Sequence, residues 1–188
     1  KKVKYWPTVR KCPQVKITAS SANPYLKVIN NDIYSKNGKV LYSVASAKAK
    51  YKVRKSVKEI EDGAFYKNDS IKSIYLPDSV KEIGEEAFGD MENLQSIRFS
   101  RSISELDYAM FNKCKKLKTV KLPKRIQTIR GNFGGKKNCY LKKIYINAVN
   151  LKKSNLKSLP KKCKVYVKSK NVKNQVKKAG FKGKVIIR

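Results

Sequence analysis

The chain contains no histidine, and only thirteen of its 188 residues are acidic. Without histidine, neither a Ser-His nor a Cys-His nucleophile pair can form. There is no Gly-rich phosphate loop and no Asp-x-Asp-x-Asp calcium run. The four cysteines, Cys12, Cys114, Cys139 and Cys163, include no Cys-x-x-Cys, which argues against zinc. No apolar stretch approaches the roughly 18 residues of a membrane span. The chain opens Lys1-Lys2-Val3 without an initiator Met, so a mature or trimmed chain, any signal peptide already removed, is expected. Together these absences point away from an enzyme and imply neither a cofactor nor a metal.

Positive charge is what the chain has in excess. Forty-six Lys and Arg give a net charge of +33. Residues 1–56 hold fourteen basic and one acidic side chain, residues 57–107 six and twelve, and residues 108–188 twenty-six and none. A long tract without a carboxylate sets up a strong positive field. Acidic glycans, wall teichoic acids, anionic headgroups and nucleic acid are its natural counterparts. A lysine-biased composition selected for solubility is the alternative.

The chain also repeats itself. Three ungapped copies of 23 residues run from Val57 to Ser79, Val80 to Ser102 and Ile103 to Arg125. Apolar residues recur at fixed offsets: Val57, Val80, Ile103; Ile60, Ile83, Leu106; Phe65, Phe88, Phe111; Ile71, Leu94, Leu117; Ile74, Ile97, Val120; Leu76, Phe99, Leu122. Six apolar positions cannot bury one unit alone, so the units must stack into a common core. The Ile-x-x-Ile-x-Leu run ends in period-two alternation and reads as a short strand, stopped by Pro77 and Pro123. The Val-x-x-Ile segment reads as a second short extended stretch. Ala64-Phe65 and Ala87-Phe88 fit one helical turn whose Phe plugs the core. A fourth copy keeps Ile126 and Ile129, then slips: Phe133 comes one residue early and Leu141, Ile144 and Ile146 one residue late. Residues Gly131 to Cys139 read as a remodelled turn, followed by degenerate rungs through Leu151, Leu156 and Leu159 to a strand at Lys164–Val167.

These residues follow the pattern I-x-x-I-x-x-x-A-F-x-x-C-x-x-L-x-x-I-x-L-P-x-S-V. In this the chain resembles the bacterial surface-antigen, or BspA-like, class of leucine-rich repeats, well over 57–125 and loosely over 126–167. Met110 in the Ala position and Arg101 and Lys124 in the Asp position are departures. The resemblance implies an α/β fold: a right-handed, horseshoe-like leucine-rich-repeat solenoid of short parallel strands and short helical turns. One domain over 1–188 is expected, with an entry rung and β-hairpin in 1–56, regular repeats in 57–125, degenerate repeats in 126–167 and a cap in 168–188.

At the N-terminal end, Cys12–Ala19 reads as the end of an earlier rung, with Tyr5-Trp6 capping it; Trp6 as a ligand platform is the alternative. Asn37-Gly38 between alternating apolar runs signals a two-residue hairpin. At the other end, Asn171–Ala179 reads as a short basic helix with Gly180 at its C-cap, then a strand Lys184–Arg188. Cys12 and Cys114 fill the repeat's Cys position, where a small buried thiol is the default. Cys114 and Cys139 fall on neighbouring rungs, which leaves one disulfide open. Glu59, Glu82 and Glu105 recur at the repeat spacing. Repetition accounts for them without catalysis, and Lys58 and Lys81 suggest cross-rung ion pairs on a solvated face.

If Ile74, Ile97, Val120 and Ile144 point inward, their neighbours point out. One outward column is then Ser73, Ser96, Thr119, Lys143, and the next is Tyr75, Arg98, Lys121, Tyr145. Basic residues alternating with Tyr could hold sugars by stacking and acidic groups by charge. Strand faces also favour Tyr and Thr for their own sake. The resemblance implies a secreted or wall-associated module that adheres to a host, protein, glycan or other acidic surface, and a monomer is expected. A structural spacer within a larger surface protein is the rival from another class. A nucleic-acid binder is a third, though lysines scattered over loops, caps and strands would bind without specificity.

Overall fold

A computed structural model describes residues 16–131, 133 and 139–188. The expectations placed on Tyr5, Trp6 and Cys12, and on most of the Gly131–Cys139 turn, lie outside the described residues.

The chain enters through an antiparallel meander, β1 (Leu26–Ile29), β2 (Asp32–Ser35) and β3 (Val40–Ser43). Here the expected hairpin needs correction. The two-residue turn is Asn30-Asn31, whose φ values of 52° and 67° are both left-handed, as a type I′ turn requires. Asn37-Gly38 instead sits in a four-residue loop, 36–39. Its polar side chains satisfy the backbone: Asn37 Oδ1 accepts from Ser35 Oγ at 2.8 Å and from Lys39 N–H at 3.0 Å, and Ser35 Oγ accepts from Val40 N–H at 2.9 Å.

Beyond the meander the chain coils. One side carries β4 (Lys50–Lys52), β6 (Ser73–Tyr75), β8 (Ser96–Arg98), β10 (Thr119–Leu122), β12 (Lys143–Ile146), β13 (Lys164–Val167) and β14 (Val185–Ile187). The other side carries β5 (Glu59–Ile60), β7 (Glu82–Ile83), β9 (Glu105–Leu106) and β11 (Thr128–Ile129). Every pairing within these two rows is parallel, and β3 joins the second row through β5. The register follows the repeat, Ser73 facing Ser96 and Glu59 facing Glu82. The expected slip is visible too: Thr119 faces Lys143, one residue beyond the regular interval, and later rungs shorten, Lys143 facing Lys164 and Val165 facing Val185. This is a leucine-rich-repeat solenoid of short parallel strands.

Both rows change sheet between the second and third regular copies, β8 and β10 lying in different sheets, as do β7 and β9. The turns remain bonded there, Glu86 N–H donating to Tyr108 O at 3.0 Å and Asp90 N–H to Asn112 O at 2.7 Å. At this joint Phe99 fills the slot of Leu76 and Leu122, its ring edge-on to Phe111 at 6.2 Å.

The repeated apolar residues form one continuous core. Phe65, Phe88, Phe111 and Phe133 run through it with centroids 5.3, 5.9 and 6.2 Å apart. The segment carrying them is a pair of turns not extended into helix, for a reason that itself repeats. Gly63, Glu86 and Ala109 have φ of 60°, 49° and 51°, and Lys67, Asp90 and Lys113 have φ of 59°, 54° and 53°. Two left-handed residues per unit, four apart, break right-handed coiling on either side of the Phe.

The C-terminal helix α1 (Lys170–Lys178) is capped by Ser169, whose Oγ accepts from Val172 N–H at 3.2 Å. Phe181 N–H returns to Val176 O at 3.4 Å and Gly180 N–H to Lys177 O at 2.9 Å. This pair of bonds is a Schellman closure, and Gly180, at φ 89°, supplies its left-handed residue. Val172 and Val176 dock on the core. The final strand does more than cap. β14 extends the parallel sheet beside β13 and becomes its outer strand.

Candidate ligand-binding face

Period-two alternation orients the long strand row. Ile74, Val120 and Ile144 are buried, while Ile97 is half-buried at the joint. Ser73 and Ser96, and beyond the joint Thr119 and Lys143, therefore make up one outward column, and Tyr75 and Arg98, then Lys121 and Tyr145, the next. The structure adds members that the sequence columns lacked. Lys50 and Lys52 extend the columns one strand earlier, facing Ser73 and Tyr75. Lys164 and Tyr166 extend them one strand later, facing Lys143 and Tyr145.

Over β4, β6 and β8 this face forms a shallow hollow of about 360 Å³ lined by Lys50, Lys52, Ser73, Tyr75, Ser96 and Arg98, with Tyr51, Ile74 and Ile97 at its floor. The tyrosine rings stand within cation and ring stacks. Lys52 Nζ lies 5.4 Å and the Arg98 guanidinium 4.8 Å from the Tyr75 centroid. Tyr145 stacks on Tyr166 at 4.7 Å with planes 17° apart, and Lys121 Nζ and the Arg188 guanidinium lie 5.8 and 4.4 Å from its centroid. Arg188 is fixed by Asn147 Oδ1 at 3.0 Å. The rings thus spend their π-faces on ladder neighbours, and the face presents cations, hydroxyls and ring edges.

Cross-rung ion pairs form at Asp78–Arg101, Asp90–Lys113 (3.5 Å), Glu92–Lys115 (2.7 Å) and Glu105–Arg130. In each the acid lies on the earlier rung and the base on the next. Three acids of 57–107 thereby pair with Lys113, Lys115 and Arg130 of the basic tract. Arg101 holds the Asp78 carboxyl below its ordinary range through side-chain and backbone hydrogen bonds.

Cys114, Cys139 and Cys163 are free, buried thiols, so the Cys114–Cys139 disulfide left open by the spacing is not formed. Burial pushes them up to about 12, 11 and 12, which leaves little thiolate for chemistry. No group of three or more His, Cys, Asp or Glu side chains that could hold a metal occurs among the described residues, and no described helix is long and apolar enough to cross a membrane.

A polar cluster that the sequence did not signal ties the meander to the first rung. Tyr51 Oη donates to Asp32 Oδ2 at 2.6 Å, Ala45 and Ser46 N–H each donate to Asp32 Oδ1 at 3.1 Å, and Tyr34 Oη lies 3.3 Å from Tyr51 Oη. Desolvation outweighs these hydrogen bonds and the nearby Lys48, pushing the Asp32 carboxyl up to about 6. Desolvation also raises the Tyr51 hydroxyl, with the Asp32 charge adding to it.

A stacked parallel solenoid with one displayed strand face defines a repeat protein of the leucine-rich type. The chain belongs to the BspA-type leucine-rich repeat family, whose model matches six copies over residues 38–165. Among solved structures it is similar to a leucine-rich cell surface protein of Faecalibacterium prausnitzii, at 29% identity and a TM-score of 0.63, over 74% of this chain and 38% of that one. It is similar in fold to the pneumococcal vaccine antigen PcpA, at 22% identity and a TM-score of 0.66, over 90% and 49%. The fold likeness extends to a leucine-rich repeat protein of T. pallidum, at 18% identity and a TM-score of 0.56, over 91% and 100%. No curated protein matches the chain. The chain spans less than half the length of the first two structures.

Proposed function

We propose that this chain is a non-enzymatic, extracellular or cell-wall-associated module that adheres to acidic glycan or a similar polyanionic surface through its outward strand face. The observation that supports this is the hollow over β4, β6 and β8, where Lys50, Lys52 and Arg98 surround the hydroxyls of Ser73 and Ser96. Cations beside hydroxyls suit a ligand with both acidic groups and sugar hydroxyls. Tyr75 serves as a rigid wall between Lys52 and Arg98, and Lys121, Thr119, Lys143 and Tyr145 carry the face onward. The module acts as a monomer, because a net charge of +33 opposes self-association. The nucleic-acid reading is weaker, since bases stack on open ring faces and these rings already face cations or each other.

The test is a panel of sulfated and neutral glycans, mucin and duplex DNA at low and physiological salt. Sulfated glycans and mucin should bind at physiological salt and neutral glycans should not. Arg98→Ala should weaken binding about tenfold, the scale of one charge-assisted hydrogen bond. Tyr75→Ala should weaken it through loss of the wall. If nothing binds at physiological salt, a structural spacer takes this reading's place. The observation favouring the spacer is that solved structures carry the same fold within chains nearly twice as long.

A further inference from the structure

The first outward column has a composition that changes along the solenoid axis. From β4 to the residue before β14 it reads Lys50, Ser73, Ser96, Thr119, Lys143, Lys164, Lys184. Three hydroxyls come first after Lys50, then three lysines, Lys143 and Lys164 on consecutive strands and Lys184 one residue before the next. Lys143, Lys164 and Lys184 are all exposed, and none joins an ion pair among the described residues. Parallel pairing sets their backbone spacing at about 4.8 Å per strand. Most other lysines sit on loops or on helix α1, where no ladder fixes their spacing.

We infer that this column is a track for a linear acidic polysaccharide lying across the strands, along the solenoid axis. Its hydroxyl-rich stretch lies over Ser73, Ser96 and Thr119, and successive anionic groups lie over Lys143, Lys164 and Lys184. The inference rests on the acidic-glycan reading and adds to it an orientation, a length and three further lysines that meet the ligand's charge. Five of its six steps are paired strands at about 4.8 Å each and the sixth crosses the joint between β8 and β10, so the column spans about 29 Å; a short ligand meets one part of it and a long one meets both. The neighbouring column keeps the polymer in place, because Tyr145 and Tyr166 stack into a wall stiffened by Lys121 and Arg188.

The experiment measures binding of size-fractionated sulfated oligosaccharides, from disaccharide to long chains, over a range of salt. Two triple variants are compared with the parent protein. One is Lys143→Gln, Lys164→Gln, Lys184→Gln on the track. The other is Lys170→Gln, Lys178→Gln, Lys182→Gln, which removes the same charge from helix α1 and the loop after it. Circular dichroism confirms that both fold. Affinity should rise with ligand length until about 29 Å is spanned, then level off. The track variant should lose at least tenfold, and its slope of log K against log salt should fall by about two, in line with counterion release. The control variant should lose less than threefold. Equal losses in the two variants, or affinity indifferent to length, would overturn the track while leaving glycan binding standing. Tighter binding of duplex DNA than of sulfated chains of equal length would overturn the choice of polysaccharide. Absence of any binding by the parent protein would instead overturn the acidic-glycan reading itself.

Discussion

Tyr145 and Tyr166 stack across adjacent parallel strands at 4.7 Å, with Arg188 closing over Tyr145 at 4.4 Å. Direct register places them there, Tyr145 facing Tyr166 in the β12–β13 pair. Aromatic pairs of this kind add about 0.5–1.5 kcal/mol beyond burial. A double-mutant cycle on Tyr145→Ala and Tyr166→Ala should therefore return a coupling energy of about 1 kcal/mol in urea unfolding. A coupling near zero would mean that the stack contributes nothing to holding the exit rungs together.

The left-handed positions make a second prediction. Gly63, Glu86 and Ala109 occupy one place in three successive units, all near φ 50–60°. Only glycine adopts this region without strain, other L-residues losing about 1–2 kcal/mol there. Ala109→Gly should raise stability by up to about 1 kcal/mol, and Gly63→Ala should lower it by a similar amount. The added methyl at Gly63 would meet Tyr66 Cβ at 3.6 Å, ordinary contact, so the loss would come from the backbone rather than a clash. Denaturant midpoints of the two variants moving in the same direction would reject this account.

The recurring apolar positions are legible in the sequence, whereas the left-handed backbone is not. Val57, Ile60, Phe65, Ile71, Ile74 and Leu76 repeat at one interval, and each recurring position is buried as the repeat requires except Ile97, half-buried at the joint. The outward columns followed by parity. The left-handed residues were not legible, because Gly63, Glu86 and Ala109 share no side-chain chemistry; their backbone is set by the turn that delivers each Phe to the core. Lys50 and Lys52 were legible in principle, since Lys50-Tyr51-Lys52-Val53 stands one repeat before Ser73-Ile74-Tyr75-Leu76. Tyr51 in an isoleucine's place hid the match. Lys164 and Lys184 were hidden because the interval shortens beyond Lys143. The Asp32–Tyr51–Tyr34 cluster was beyond any local pattern, as it joins the meander to a separate strand.

That cluster makes stability depend on pH. Burial raises the Asp32 carboxyl from 3.8 to about 6. With the folded value above the unfolded one, the carboxyl's favourable contribution is complete below about pH 4 and is lost as pH rises through 6. Asp32→Asn keeps the shape and cannot ionise. From pH 4 to pH 7 the parent protein should lose about 2–3 kcal/mol relative to Asp32→Asn. Parallel stability profiles for the two proteins would show that Asp32 is not held above its ordinary range.

The buried thiols predict chemical silence. In a Cys12→Ser background, Cys114, Cys139 and Cys163 should react with a thiol reagent only as fast as the fold opens, since all three are buried and pushed above pH 10. Denaturant should expose all three together. Rapid labelling of any one in the native protein, or a Cys114–Cys139 disulfide under mild oxidation, would contradict the packing seen here.

Salt should stabilise this protein, although it contains exposed ion pairs that salt weakens. Asp78–Arg101, Glu92–Lys115 and Glu105–Arg130 are solvent-exposed on both sides, and such pairs contribute little to stability. Against them stand twenty-six cations in residues 108–188 with no carboxylate among them. Their repulsion acts over about 8–10 Å at moderate ionic strength, a distance that takes in both ladder neighbours of Lys164. The repulsive sum is the larger, so Tm should rise from low to physiological sodium chloride. The Lys143→Gln, Lys164→Gln, Lys184→Gln variant should melt above the parent at low salt, and the two curves should converge as salt increases. A parent Tm that is flat or falls with salt would mean that the lysines are spaced too widely to act on one another, and the dense cation row along β12, β13 and β14 would lose its energetic basis.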